Sequence, residues 1–296
     1  MAELALGQKS TIDRFSSPAA RVVRAIGSGA SRLAPELAAA WAADRFLAPN
    51  RRRSLRLALA PDEAGFESFV TGNLRLGLWS WGARDAARRA LLVHGWEGAS
   101  AQLAPWGRSL AGRGFRASAL DLPAHGRSSG RRTNLVEIAG VIERAAEHLG
   151  GPPEVVVAHS LGAAATVIAL ARGLGARRVL LVAPPAELEP FADLFASWLG
   201  LDARVRARLQ ERIEDAIGAE WAKISPARLA RGLGAVSALI VHDALDREVP
   251  VDHGRKLAAA WPSARLLETR GLGHNRILAA PEVTQEGLDF LASSID

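Results

Sequence analysis

Six short apolar runs, each bounded by turn-forming residues, do most to constrain what this 296-residue chain can fold into. They are ALLVH (90–94), FRASALD (115–121), EVVVA (154–158), RRVLLVA (177–183), SALIVH (237–242) and ARLLET (264–269). Runs of this kind lack the strict alternation of a strand with one wet face, so they predict strands buried on both faces. Stretches with helical spacing lie between them, among them NLVEIAGVIERAAEHL (134–149) and LGAAATVIALARGL (161–174). Strands and helices in alternation predict an α/β fold, a mostly parallel sheet with helices on both faces. Ahead of the first run, FESFVTGNLRLGLWSW (66–81) predicts a hairpin turning at Gly72-Asn73.

Two segments break the alternation. Residues 184–232 are helical in pattern with no strand between, as an inserted helical cap would be. Residues 1–50 also pattern as helix: Leu33, Leu37, Trp41 and Phe46 recur at roughly helical spacing, Pro35 suits a first turn and Pro49 a stop. The expected arrangement is an N-terminal arm (1–50), a core (51–183 and 233–296) and a cap (184–232). The arm is expected to pack its apolar stripe on the body, with a membrane-surface or dimer contact as the other reading.

Composition removes several chemistries. The chain has no cysteine, hence no disulfide, thiolate–zinc site or cysteine nucleophile, and no tyrosine, hence no phenolic acid or base. Its net charge of +6 is carried almost wholly by arginine, since Lys9, Lys223 and Lys256 are the only lysines. The arginines are spread along the chain with no recognition motif, which argues against a nucleic-acid partner. The one short run, Arg51 to Arg53, is expected to be a solvated turn. Lys9-Ser10 lacks the glycine of a phosphate loop, Gly27-Ser28-Gly29 and Gly173/Gly175 lack the third glycine of a dinucleotide fingerprint, and no His-Glu-x-x-His occurs. No cofactor and no metal are expected. The start, MAELALGQKSTIDRF, has no basic-then-apolar leader, and no run nears the ~18 apolar residues of a membrane helix, so a cytoplasmic protein is expected.

The positive signal is VVVAHSLGAAATVIAL (155–170). Ser160 stands where a buried strand turns into a helix. A serine hydroxyl is a weak nucleophile and needs a base, an exposed position and stabilisation of the anion it creates. A tight strand-to-helix elbow lifts Oγ above the sheet and aims the Leu161 N–H at a developing oxyanion. It demands small residues two before and two after the serine, here Ala158 and Gly162. A serine serving only as helix cap is the plainer reading of the same five residues. Three histidines follow: His242 ends a strand, His253 starts a helix, and His274 sits in the glycine-flanked loop GLGHNRIL after the last strand, the best place for a base. For its carboxylate, Asp243 and Asp246 compete within VHDALDREVP, and Asp246 lies further out, where it can reach a neighbouring loop. The loop HGWEG (94–98) offers the Trp96 N–H as a second oxyanion donor, with His94 buttressing it.

Taken in order, LLVHGWEG, DLPAHGRSSG, VVVAHSLGA, LDREVP and GLGHNRIL resemble the α/β-hydrolase superfamily over about residues 66–296, most closely its capped members related to monoglyceride lipases and certain serine peptidases. The departures are Ala158, where the usual pattern has glycine, and Ala124. The resemblance implies an eight-stranded sheet, a cap inserted after the sixth strand, a catalytic triad of Ser160, Asp246 and His274, and oxyanion donors at Trp96 and Leu161. The expected activity is hydrolysis of a carboxylic ester of a small-molecule acyl substrate through an acyl-enzyme. A peptidase, amidase, thioesterase or acyltransferase could use the same triad, and a binding protein could use the same fold. Trp96 and His159 from the core, and Phe191, Phe195, Trp198 and Trp221 from the cap, are the candidates to line the acyl pocket, the alternative for the aromatic four being the cap's own core.

Overall fold

The computed structural model describes residues 18–58 and 63–293 and forms two compact units. The larger comprises residues 47–187 and 217–293, the smaller residues 18–46 and 188–216.

The larger unit is built on one sheet. Its strands are β1 (Gly65–Thr71), β2 (Leu74–Trp81), β3 (Arg88–Val93), β4 (Phe115–Leu120), β5 (Val155–His159), β6 (Arg178–Val182), β7 (Ser237–Asp243) and β8 (Ala264–Thr269), in the spatial order β1-β2-β4-β3-β5-β6-β7-β8. β2 runs antiparallel to both β1 and β4, and every later pair is parallel. The six apolar runs thus become β3 to β8, and the hairpin closes with Thr71 opposite Leu74 around Gly72-Asn73, as the sequence predicts. All five residues of β5 are buried, because β3 and β6 flank it and helices cover both faces. A side chain at its C-terminal end is therefore held on a rigid element.

The helices of this unit are α3 (Arg51–Leu57), α4 (Ala104–Ala111), α5 (Leu135–His148), α6 (Leu161–Ala171), α9 (Trp221–Ile224), α10 (Pro226–Ala230), α11 (Val251–Ala260), α12 (Gly273–Arg276) and α13 (Pro281–Ala292); α1, α2, α7 and α8 belong to the smaller unit. Asn50 and Asn134 cap α3 and α5, each accepting from the backbone N–H three residues on. One core joins Trp81, Trp106, Phe115, Leu180, Leu288 and Leu291, and the buried Trp106 indole donates to the Leu278 carbonyl at 2.8 Å. Arg51 and Arg52 are exposed, as expected, and Arg53 is half-buried, but the segment is helix and not a turn. The three residues open α3, with Arg53 paired to Glu97 at 3.1 Å and Arg51 donating to the Gly130 carbonyl at 3.0 Å.

The smaller unit packs α1 (Pro18–Leu33) and α2 (Pro35–Phe46) with α7 (Glu189–Leu199) and α8 (Ala203–Ile217). Gly27 explains the close approach of α1 to α7. A Cβ there would lie 1.8 Å from the Leu199 carbonyl oxygen. Ser28 then donates to the Gly200 carbonyl at 2.9 Å, and Gly200 caps α7 in the left-handed conformation. Glu36 takes both Arg208 and Arg212 of α8, so α8's arginines are partly engaged. Phe46 packs edge-on against Phe195, and Phe195 against Trp198. Of the expected stripe, however, only Phe46 packs. Leu33, Leu37 and Trp41 are exposed, while the buried positions of α2 are Ala38, Ala39, Ala42 and Ala43. The part of the expected arm before residue 18 lies outside the described residues.

Candidate active site

Ser160 links β5 to α6 with φ 52° and ψ −124°, a conformation that non-glycine residues rarely adopt. The surroundings over-determine it. The Ser160 N–H donates to the Val182 carbonyl of β6 at 2.9 Å, and the Ala163 N–H returns to the Ser160 carbonyl at 2.9 Å. Gly162 is required because a Cβ would meet the His94 carbonyl oxygen at 2.3 Å. Ala158, two residues before the serine, is fully buried between Val93 and Leu181, and the strand accommodates its methyl. Ser160 itself remains partly exposed.

His274 comes from α12, beyond β8, and Asp246 from the loop after β7. The Asp246 carboxylate lies 2.7 Å from His274 Nδ1, and His274 Nε2 lies 3.0 Å from Ser160 Oγ. Burial opposes a charge on Asp246, but the neighbouring imidazoles and the Val249 N–H outweigh it and hold the carboxyl well below the usual range. An ionised carboxylate can only accept. His274 Nδ1 therefore carries the proton, Nε2 offers its lone pair, and the Ser160 hydroxyl donates to it. The other Asp246 oxygen accepts from the Glu248 and Val249 N–H groups at 2.8 and 3.0 Å, which fixes the carboxylate plane. His242 also faces Asp246, at 3.6 Å, while its Nε2–H goes to the Val249 carbonyl at 2.8 Å.

Asp243 has a separate task. One of its oxygens accepts from the Leu245 and Gly271 N–H groups, the other from the Thr269 hydroxyl and the Leu272 N–H. It thus ties the loop that presents Asp246 to the loop that presents His274. Burial works against its charge, yet these donors keep its carboxyl below the ordinary value.

The expected second donor loop, 94–98, is held from several sides. His94 donates through Nδ1 to the Gly95 carbonyl at 2.8 Å and accepts the Leu122 N–H on Nε2 at 3.1 Å. His125 donates to the Pro123 carbonyl and accepts the Glu97 N–H at 2.9 Å. Burial pushes the pKa of His94 down to about 4 and that of His125 to about 3, so both are neutral struts. Asp121 accepts from Ser100 and Arg127, joining this loop to the DLPAHG loop, in which Ala124 takes φ 64°. Sequence reading missed the last brace. Ser54 of α3, fully buried, donates to the Gly98 carbonyl at 2.6 Å and accepts the Gly126 N–H at 2.7 Å. Glu97, at φ 55°, is anchored by Arg53 and the Asn50 N–H. Among the described residues, neither the Trp96 nor the Leu161 N–H has a protein acceptor.

Of the residues expected to line an acyl pocket, His159 is buried. Its Nε2–H goes to the His274 carbonyl at 2.9 Å, and a Cβ on Gly95 would lie 3.1 Å from its Nδ1. It stands between the donor loop and the loop of His274 as a spacer. Burial drives its pKa down to about 3. The indole of Trp96 packs edge-on against His125. Phe195 and Trp198 pack on one another within the smaller unit, and Trp221 is buried at the start of α9.

Asp246, His274 and Ser160 are thereby joined in one hydrogen-bonded line. Residues 90–286 match the alpha/beta hydrolase family. The chain belongs to that family. The sheet order, the sixth strand followed by helices α7 to α10, and the strand-to-helix serine are features of an α/β-hydrolase. Comparison with curated protein sequences gives no significant match. Among solved structures, the hydrolase is similar to a thermophilic esterase from the Planctomycetes species Thermogutta terrifontis, solved with butyrate bound, at 22% identity over 78% of this chain and 94% of that one, with a TM-score of 0.59. An esterase from Rhodococcus sp. ECU1013 matches at 18% identity over 78% and 99%, with a TM-score of 0.58. A bacterial membrane phospholipase A matches at 18% identity over 93% and 97%, with a TM-score of 0.59. At these identities the likeness is one of fold. Among the described residues no helix is long and apolar enough to cross a membrane.

Proposed function

We propose that this α/β-hydrolase is a serine hydrolase that cleaves carboxylic esters of small acyl substrates through an acyl-enzyme. The observation that carries the reading is the continuous hydrogen-bonded line from Asp246 through His274 to Ser160, at 2.7 and 3.0 Å. Ser160 Oγ attacks the ester carbonyl as His274 Nε2 takes its proton. Asp246 stays ionised, holds the imidazole in the required tautomer and stabilises the imidazolium. His159, neutral and with its ring centroid 4.8 Å from that of His274, adds no competing positive charge beside the new cation. The oxyanion settles between the N–H groups of Trp96 and Leu161. His274 returns the proton to the leaving alcohol. It then takes a proton from water, which attacks the acyl-enzyme and releases the acid.

An ester is favoured over an amide because the neighbours of the same fold, all at low identity, include enzymes named esterases, a phospholipase and a thioesterase domain. The test is turnover of nitrophenyl acetate, butyrate and hexanoate by the wild type and by Ser160→Ala, with and without an added alcohol. Release of free acid that disappears in Ser160→Ala is the expected result. An acyl-transfer product exceeding free acid would replace the hydrolase with an acyltransferase, and turnover surviving in Ser160→Ala would remove the mechanism.

A further inference from the structure

The arm is built inside out. A surface helix of a globular protein ordinarily buries its large apolar residues and presents polar ones. Here the buried residues are small: Ala20, Gly27 and Ser31 on α1, and Ala38, Ala39, Ala42 and Ala43 on α2. The large apolar residues Val22, Ile26, Leu33, Leu37 and Trp41 are each more than half exposed, Leu33 at 89%. Their spacings of four, seven, four and four residues keep them on one face. α1 hands over to α2 through a single residue, Ala34, which is itself hydrogen-bonded in helical fashion to Ala30 and Ala38. The apolar line therefore runs along both helices.

The charges beside this line have one dominant sign. α1 contains Arg21, Arg24 and Arg32 and no acidic residue. All three are exposed, and Arg21 and Arg32 fall on the same flank of the stripe. Arg45, also exposed, extends the line past Trp41 on α2. α2 carries two acids along this line: Glu36 is taken up by Arg208 and Arg212, and Asp44, three residues past Trp41, is half-buried. An apolar ridge containing a tryptophan and edged with long guanidinium side chains suits one kind of partner. On a bilayer surface an apolar ridge of this kind enters the acyl boundary, an indole sits at the level of the headgroups, and arginines reach anionic phosphates.

We propose that the exposed face of α1 and α2 seats the protein on an anionic phospholipid bilayer, lying in the interface without crossing it. This docking does not depend on the ester-hydrolase reading, since none of its residues belongs to the candidate active site.

The experiment uses the full-length chain in flotation with vesicles of phosphatidylglycerol, vesicles of phosphatidylcholine, and no vesicles. Three proteins are compared: the wild type, Ile26→Gln/Leu33→Gln/Leu37→Gln/Trp41→Gln, and Arg21→Gln/Arg32→Gln. The substituted side chains are exposed, so folding is expected to survive, and circular dichroism checks it. The wild type should float with phosphatidylglycerol at least tenfold more than with phosphatidylcholine. The fourfold apolar variant should lose at least tenfold in bound fraction. The arginine variant should lose most of the difference between the two lipids. Turnover of a soluble ester should be the same in all three, so a failure of the catalytic reading would show as no turnover anywhere and would leave the flotation result standing. A wild type that does not float with phosphatidylglycerol, or an apolar variant that floats equally well, overturns the proposal. So does sedimentation showing a wild-type dimer that the apolar variant converts to monomer without loss of flotation, because the stripe would then be a contact between copies.

Discussion

At Ser160 the backbone is held in a costly conformation by fixed neighbours: the Val182 carbonyl, the Gly162 contact with His94, and the His274 ring. The importance of Gly162 was legible from the elbow pattern, because a tight turn needs small flanking residues whatever the rest of the fold. Asp246 was preferred over Asp243 by its place in the loop. Asp243 was harder to assess, because three of its four donors, Thr269, Gly271 and Leu272, come from a different loop and leave no local trace. The two aspartates should respond differently to substitution. Asp246→Asn should leave the protein folded but favour the wrong His274 tautomer, lowering kcat about ten-thousandfold with little change in KM. Steady-state kinetics and circular dichroism on the same preparation check this, and a loss under tenfold would contradict it. Ser54→Ala orphans the Gly98 carbonyl and the Gly126 N–H in a buried place, so it should cost about 1–3 kcal/mol in urea denaturation and lower kcat more than it raises KM. An unchanged denaturation midpoint would mean that α3 does not brace the donor loop.

Among the elements, the strands were the most legible, since a buried parallel strand announces itself as an unbroken apolar run of limited length. α3 was not legible. RRRSLRL has two leucines and four arginines, and what makes it a helix with a purpose is a cap from Asn50 and contacts to Glu97, Gly98, Gly126 and Gly130, far away in sequence. The arm misled for a related reason. Helical spacing locates an apolar face but does not say which face is buried. Gly27, Ser28 and Ser31 give the answer only once α7 lies against them. Gly27→Leu should therefore force α1 off α7. Hydrogen exchange should show lost protection across α1 with β5 unchanged, and unaltered protection of α1 would contradict the packing described.

For the whole molecule, the buried histidines set a dependence of stability on pH. His94, His125 and His159 have pKa values pushed by burial to about 4, 3 and 3, against 6.5 when unfolded. Above about pH 6.5 both states are neutral at these rings, and the stability due to their neutral form is fully present. As pH falls below that value the unfolded chain takes up protons that the native chain refuses. Stability is lost with a slope approaching three protons, or about 4 kcal/mol per pH unit, until the native values are reached. Asp246, depressed in the native state, begins to lose its contribution as pH falls through the ordinary carboxylate range, and from there it steepens the same fall. Urea denaturation at pH 7, 6 and 5 should show a steep fall, and a flat profile would mean that the rings are not buried as neutral imidazoles.

The central claim is that the fold activates one serine, and the most direct measurement is intact-mass analysis after brief treatment with a fluorophosphonate. The native wild type should gain the mass of a single adduct, mapped by peptide fragmentation to Ser160, while Ser160→Ala, His274→Ala and heat-unfolded protein gain none on the same timescale. A folded wild type that stays unmodified, or an adduct that persists in Ser160→Ala, would contradict the claim and leave Ser160 as the cap of α6.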